Sequence, residues 1–102
     1  MILSQHNAWI HAVASLFVLG AGLFFNLARE EWCWIVIAVT SVWAAEAFNT
    51  AIEFLADATS PGFHSLIRDA KDVAAGAVLF AAAGAGVIGA IVFWPHIAKL
   101  AA

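Results

Sequence analysis

Charge is what this chain has least of. Across 102 residues there are four Lys/Arg and seven Asp/Glu, and only 11% of the residues are charged while 65% are hydrophobic, a balance far from that of a soluble fold. The shortage of Lys and Arg excludes a basic stripe able to track a phosphate backbone, so nucleic acid is not an expected partner, and the acidic residues form no solvating tail. With a single cysteine, Cys33, set in an apolar run, neither an intrachain disulfide nor a cysteine metal pair can form, and the thiol reads as a small buried or lipid-facing side chain. The opening MILSQHNAWIH has no Lys or Arg, and therefore no basic n-region of a secretory signal, so the first apolar segment is expected to be retained. The length allows one domain, 1–102.

What fills the chain instead is long uncharged stretches. Runs of about 20 apolar residues read as membrane helices. Three are expected: 8–27, closed by the polar AREE; 32–57, stopping before the loop-forming SPGFH; and 73–94, ended by Pro95. SLIRDAKD, 65–72, is expected to be a short helical connector carrying Arg68, Asp69, Lys71 and Asp72. The Lys/Arg in the 58–72 segment assign it to the cytoplasm, which puts the N-terminus inside and the C-terminus outside. Trp9, Trp32, Trp34 and Trp94 fall at expected span ends, where an indole sits among headgroups, whereas Trp43 is expected deeper. Ala77, Ala81, Ala85 and Gly89 recur every four residues and make a ridge of small side chains suited to close helix approach. GAGVIG, 84–89, has the glycine spacing of a dinucleotide turn, but no strand precedes it and no acidic residue follows at the required distance, so helix packing is the better reading.

The second span breaks the apolar pattern. Glu46, Asn49, Glu53 and Asp57 have offsets of three, seven and eleven, which on an α-helix places them within an arc of roughly 80° over a length of about 16 Å. An ionised group facing lipid costs several kcal/mol, so the stripe is expected to face protein, water or bound cations. A lone Asn would read as hydrogen-bonded glue between helices. Three carboxylates with only Asn49 and Thr50 nearby repel one another unless a cation or protons intervene, and Mg²⁺, which takes carboxylate oxygens together with substrate phosphates, resolves that repulsion. At the start of span three Lys71 can hold a phosphate as a point charge, and Asp72 can cap the helix or help hold Mg²⁺. Carboxylates, a metal and a lysine at a membrane surface are the ingredients of phosphoryl transfer to a lipid alcohol.

The pattern E-x-x-N-T-A-I-E-x-x-x-D from Glu46, followed by H-x-L-x-x-x-A-K-D-V-A-A-G-A-V-L from His64, resembles the prokaryotic diacylglycerol kinase and undecaprenol kinase family, gaplessly from Glu46 to Leu79. Weaker similarity covers NAWIH at 7–11, EEW before span two and FWP at the end of span three. The resemblance implies an all-α integral-membrane lipid kinase with three transmembrane helices per chain and a homotrimer with active sites shared between chains. It also implies MgATP as phosphoryl donor, with Mg²⁺ as the metal, and a place in the bacterial cytoplasmic (inner) membrane with the active site facing the cytoplasm. By the same resemblance Glu46 matches the catalytic base, Asn49 positions groups beside it, and Glu53 holds Mg²⁺. Lys71 and Asp72 match residues that engage the nucleotide, and Asp57 and His64 match polar positions near it. Gln5 stands, six positions before His11, where the family has a glutamate that is a second metal ligand; its amide oxygen can coordinate without the charge. The family's usual basic amphipathic helix does not precede span one here.

His11 lies in the span-one motif, and both a site role and a hydrogen bond within the bundle are open to it. His6 is expected at the interface, His96 in solvent, and Arg68 with Asp69 as a solvated ion pair. The rival functions are an inactive relative serving as a membrane scaffold, and a small proton-coupled transporter with Glu46 alternating between proton and cationic substrate.

Overall fold

The computed structural model describes residues 2–59 and 64–102, with side chains from Ala8 onward. Three helices make up the fold: α1 (Ile2–Phe25), α2 (Arg29–Thr59) and α3 (Ser65–Ala101). All three are long and apolar enough to cross a membrane. With no water available in hydrocarbon to satisfy backbone N–H and C=O groups, a chain of this composition keeps those bonds within helices. This is an all-α membrane protein. The helices run up, down and up, with α3 packed along α2 and α1 touching α2 more sparsely.

The turn between α1 and α2 is built from local chemistry. Asn26 takes the left-handed conformation at φ 55°, the Leu27 N–H donates to the Gly22 carbonyl at 3.2 Å, and the Asn26 N–H donates to the Leu23 carbonyl at 3.3 Å. These two bonds are the Schellman closure of a helix, with Asn in the place usually held by Gly. Three residues later Glu31 Oε1 accepts from the Ala28 N–H at 2.9 Å, the reciprocal half of a capping box. The polar AREE stretch therefore opens α2 as well as closing span one. Close to this turn lies the core of the chain: buried Leu27, Ile35 and Val92 with Trp32 and Phe93 against them. An added Cβ at Gly22 would stand 2.6 Å from the Trp32 ring, so this glycine is what lets the indole lie flat across α1.

Four expectations about α3 are corrected. The connector 65–72 and the third span form one continuous helix, and Pro95 lies inside it. A proline forfeits one backbone bond, but its φ is helical and the chain beyond it can continue where contacts repay the loss. Here they do: His96 Nε2 lies 2.8 Å from Glu31 Oε2 and its ring packs on Phe25 at 5.6 Å, so His96 is half-buried and paired, not solvated. At the other end the helix is capped by His64, whose Nδ1 accepts from the Leu66 N–H at 3.2 Å, and Asp72 lies well inside α3 and so does not cap it. The 37 residues of α3 reach about 55 Å at 1.5 Å per residue, matching the 57 Å long axis and exceeding a hydrocarbon core of about 30 Å. The charged first turns of α3 lie beside the end of α2, where Lys71 Nζ comes within 4.0 Å of Asp57 Oδ1.

The ridge of small residues is only partly used. Ala81, Ala85 and Gly89 are half-buried and Ala77 is exposed, and a Cβ built at Gly84, Gly86 or Gly89 meets nothing within 4 Å. Among the described glycines the tight contact is at Gly22, against the Trp32 ring. SPGFH, expected as a loop, lies outside the described residues apart from His64.

Candidate functional site

The buried residues of α2 are Ile35, Ala38, Val42, Glu46, Asn49 and Ala56, separated by three, four, four, three and seven positions. That is the spacing of a helix-packing seam, and the polar stripe is its continuation. Glu46 and Asn49 are each 3% exposed, Glu53 is half-buried and Asp57 is exposed. The stripe emerges from the bundle interior to the surface along about three turns of helix.

Each polar group has a distinct setting. Neither carboxylate oxygen of Glu46 has a hydrogen-bond partner, although Oε2 lies 3.5 Å from His11 Nε2 of α1. Asn49 Nδ2 donates to Glu53 Oε1 at 3.3 Å, while Asn49 Oδ1 is buried without a partner. Beyond them Asp57 Oδ1 meets Lys71 Nζ at 4.0 Å, which joins the end of α2 to the first turns of α3. Both of these last side chains are well exposed, so solvent screens the pair. Asp72 is exposed beside Lys71, and the His64 cap uses Nδ1, so Nε2 is the ring nitrogen available to a ligand. Arg68 and Asp69 pair in solvent at 3.3 Å, as expected.

The structure therefore brings Glu46, Asn49 and Glu53 together and adds Asp57 and Lys71 at the surface, with His64 and Asp72 on the same end of the bundle. Gln5 belongs to the backbone of α1, but its side chain lies outside the described residues, as does that of His6. Among the described residues no three His, Cys, Asp or Glu side chains gather at one point. The Glu53 carboxylate and the orphaned Asn49 Oδ1 are hard oxygen donors and fit a divalent cation that keeps most of its coordination for phosphates and water.

Access to Glu46 is lateral. An open groove of about 390 Å³ runs between Ala8, Trp43, Thr50 and Phe54 and has Glu46 in its lining. A second cleft of about 270 Å³, almost wholly apolar, lies deeper between the three helices and is lined by His11, Ser15, Val42, Ala85 and Gly89 among others. The residue whose place the sequence left open is His11. The signal able to settle it is the hairpin register: α1 and α2 fold back on each other at residues 26–28, which brings His11 level with Glu46 and Ser15 level with Trp43.

The sequence model of the prokaryotic diacylglycerol kinase family matches residues 1–93. Over 94 residues the chain is 35% identical to an undecaprenol kinase of Bacillus subtilis, covering 92% of this chain and 76% of that protein. Over 100 residues it is 37% identical to a diacylglycerol kinase of Synechocystis, covering 95% of this chain and 56% of that protein. No solved structure matches the chain.

Proposed function

The chain belongs to the prokaryotic diacylglycerol kinase family, and from that membership we propose that it transfers the γ-phosphoryl group of ATP to the hydroxyl of a membrane lipid alcohol, diacylglycerol or undecaprenol. The observation that carries the reading is Glu46, a carboxylate buried in a membrane helix with both oxygens unpartnered, at the end of an open groove. A buried acceptor left unmade is expensive in a structural role and suited to a general base that meets its partner only when substrate arrives.

In this reading the lipid alcohol enters along the groove by Ala8 and Phe54 and places its hydroxyl at Glu46. The hydroxyl proton passes to Glu46, the alcohol oxygen bonds to the γ-phosphorus, and the bond from that phosphorus to the bridging oxygen breaks, releasing ADP. Asn49 holds Glu53 through their 3.3 Å hydrogen bond and so orients the carboxylate assigned to the metal. A divalent cation, Mg²⁺ in this proposal, supplies positive charge for the nucleotide phosphates when bound, held by Glu53, with Gln5 assigned to it on the family motif alone. Lys71 and Asp72, with Asp57 and His64 beside them, receive the nucleotide at the exposed end, where Lys71 offers a phosphate its point charge.

The proposal includes a homotrimer with shared sites. Support comes from the short donor set among the described residues, from the open space beside Gly89 on the small-residue ridge, and from large apolar side chains such as Phe17, Phe48 and Phe80 on the outer faces. The Lys/Arg of the α2–α3 segment support a cytoplasmic position for the site in the inner membrane of a bacterium, the domain spanning 1–102.

The test is a radiolabelled-ATP assay of the purified protein in mixed micelles offering diacylglycerol and undecaprenol side by side, with and without Mg²⁺. Metal-dependent label in one lipid phosphate is expected. Label in neither lipid overturns the reading.

A further inference from the structure

Glu46 is not alone in its unmade hydrogen bonds. Among the described residues the buried side-chain polar atoms without a hydrogen-bond partner are His11 Nε2, the two Glu46 oxygens and Asn49 Oδ1. They form a single patch across α1 and α2, since His11 and Glu46 stand 3.5 Å apart and Asn49 lies one turn further along α2. Their side chains are 14% and 5% exposed for His11 and Glu46, so the pair lies inside the bundle and away from bulk solvent. At 3.5 Å the imidazole and the carboxylate stand next to each other without a formed hydrogen bond.

The His11 ring has an aromatic neighbour. Trp43 packs edge-on against it, with ring centroids 6.3 Å apart and planes at 67°, and the Trp43 indole N–H donates to Ser15 Oγ at 3.0 Å, one turn along α1 from His11. Four side chains thus interlock at the level of the base, two from each helix. A pair serving only as glue between helices gains by being fully bonded, because partial satisfaction in a low-dielectric interior is the costly state. A poised pair fits a site whose hydrogen bonds tighten when substrate binds.

We propose that His11 is a positioning residue for Glu46: a neutral imidazole whose Nε2–H donates to Glu46 Oε2 and so turns Oε1 toward the lipid hydroxyl. The inference rests on the reading of Glu46 as the base. In the reacting complex His11 holds one oxygen still while the other takes the proton, and it touches neither the nucleotide nor the phosphorus.

His11→Phe keeps an aromatic ring against Trp43 and removes the donor; His11→Gln restores an amide N–H at about the reach of Nε2. With Mg²⁺ and ATP in mixed micelles, H11F is expected to lower kcat for the lipid alcohol roughly tenfold to a hundredfold, a part of what a general base contributes, with KM for ATP unchanged. H11Q is expected to recover kcat to within about threefold of wild type. Wild-type kcat in H11F, or H11Q no better than H11F, overturns the role. If H11F does not fold, H11Q alone decides, and a kcat more than tenfold below wild type then overturns it. A second measurement needs no turnover: side-chain ¹⁵N NMR of His11 in detergent micelles should show the Nε2–H tautomer, with a resonance that moves in Glu46→Leu. An Nδ1–H tautomer with no response to Glu46→Leu overturns the pairing. Absence of lipid phosphorylation by the wild type overturns the kinase reading instead, and the NMR result still judges the pair.

Discussion

Glu46→Gln separates catalytic burial from structural burial, because it moves activity and stability in different directions. The substitution keeps the size of the side chain and its capacity to accept from His11, but it removes the charge and the proton affinity. Glu46 is 3% exposed with neither oxygen hydrogen-bonded, so no structural bond is lost. A general base contributes about 10²- to 10⁴-fold, which at 1.36 kcal/mol per tenfold is about 2.7–5.4 kcal/mol of transition-state stabilisation. Folding, by contrast, is relieved of an unpartnered buried carboxylate, whose desolvation penalty is on the order of several kcal/mol. The expected outcome is a kcat at least a hundredfold lower with thermal stability in detergent unchanged or raised, the signature of a residue kept for function. The assay is radiolabelled phosphoryl transfer at saturating MgATP and lipid, beside a melting curve and the oligomer size of the same preparation. Turnover within tenfold of wild type, or lost activity together with a lowered melting temperature, would refute the assignment of Glu46 as the base.

Three further outcomes are expected. Glu53→Ala leaves Asn49 Nδ2 without its 3.3 Å partner and removes the carboxylate assigned to the cation; the Kd for MgATP should rise at least about tenfold by calorimetric titration, and an unchanged affinity counts against that assignment. Gly22→Ala drives a Cβ to 2.6 Å from the Trp32 ring and should destabilise the α1–α2 hairpin by about 1–3 kcal/mol in thermal unfolding, an effect that Trp32→Leu in the same chain should relieve; equal melting of wild type and G22A would show that the indole moves freely. Glu31→Ala removes both the Ala28 cap and the 2.8 Å contact to His96, so it should lower stability by about 1–3 kcal/mol and by more than His96→Ala, and the reverse ranking would assign the anchoring of the last turns of α3 to Phe25 packing instead.

The membrane class, the three helices and the polar stripe are local properties, and the sequence by itself determined them. Hydrocarbon forces every backbone bond into the helix that contains it, so spans follow from runs of apolar residues. The 3.6-residue period alone puts Glu46, Asn49, Glu53 and Asp57 on one face. What the period cannot say is what that face meets. Its burial at Glu46 and Asn49 and its exposure at Asp57 come from how the other helices pack on α2, with His11 of α1 against Glu46, and the Asp57–Lys71 contact comes from the end of α2 meeting the first turns of α3. Pro95 reads as a stop because proline removes a bond, yet the helix continues because His96 finds Glu31, a partner 65 positions away. Asp72 reads as a cap, but His64 takes that role because α3 starts earlier than its apolar run. The meeting of His11 with Glu46 belongs wholly to the tertiary structure: it depends on the register of two antiparallel helices, set by the left-handed Asn26 and by an indole lying against Gly22, and neither helix carries that register in its own periodicity.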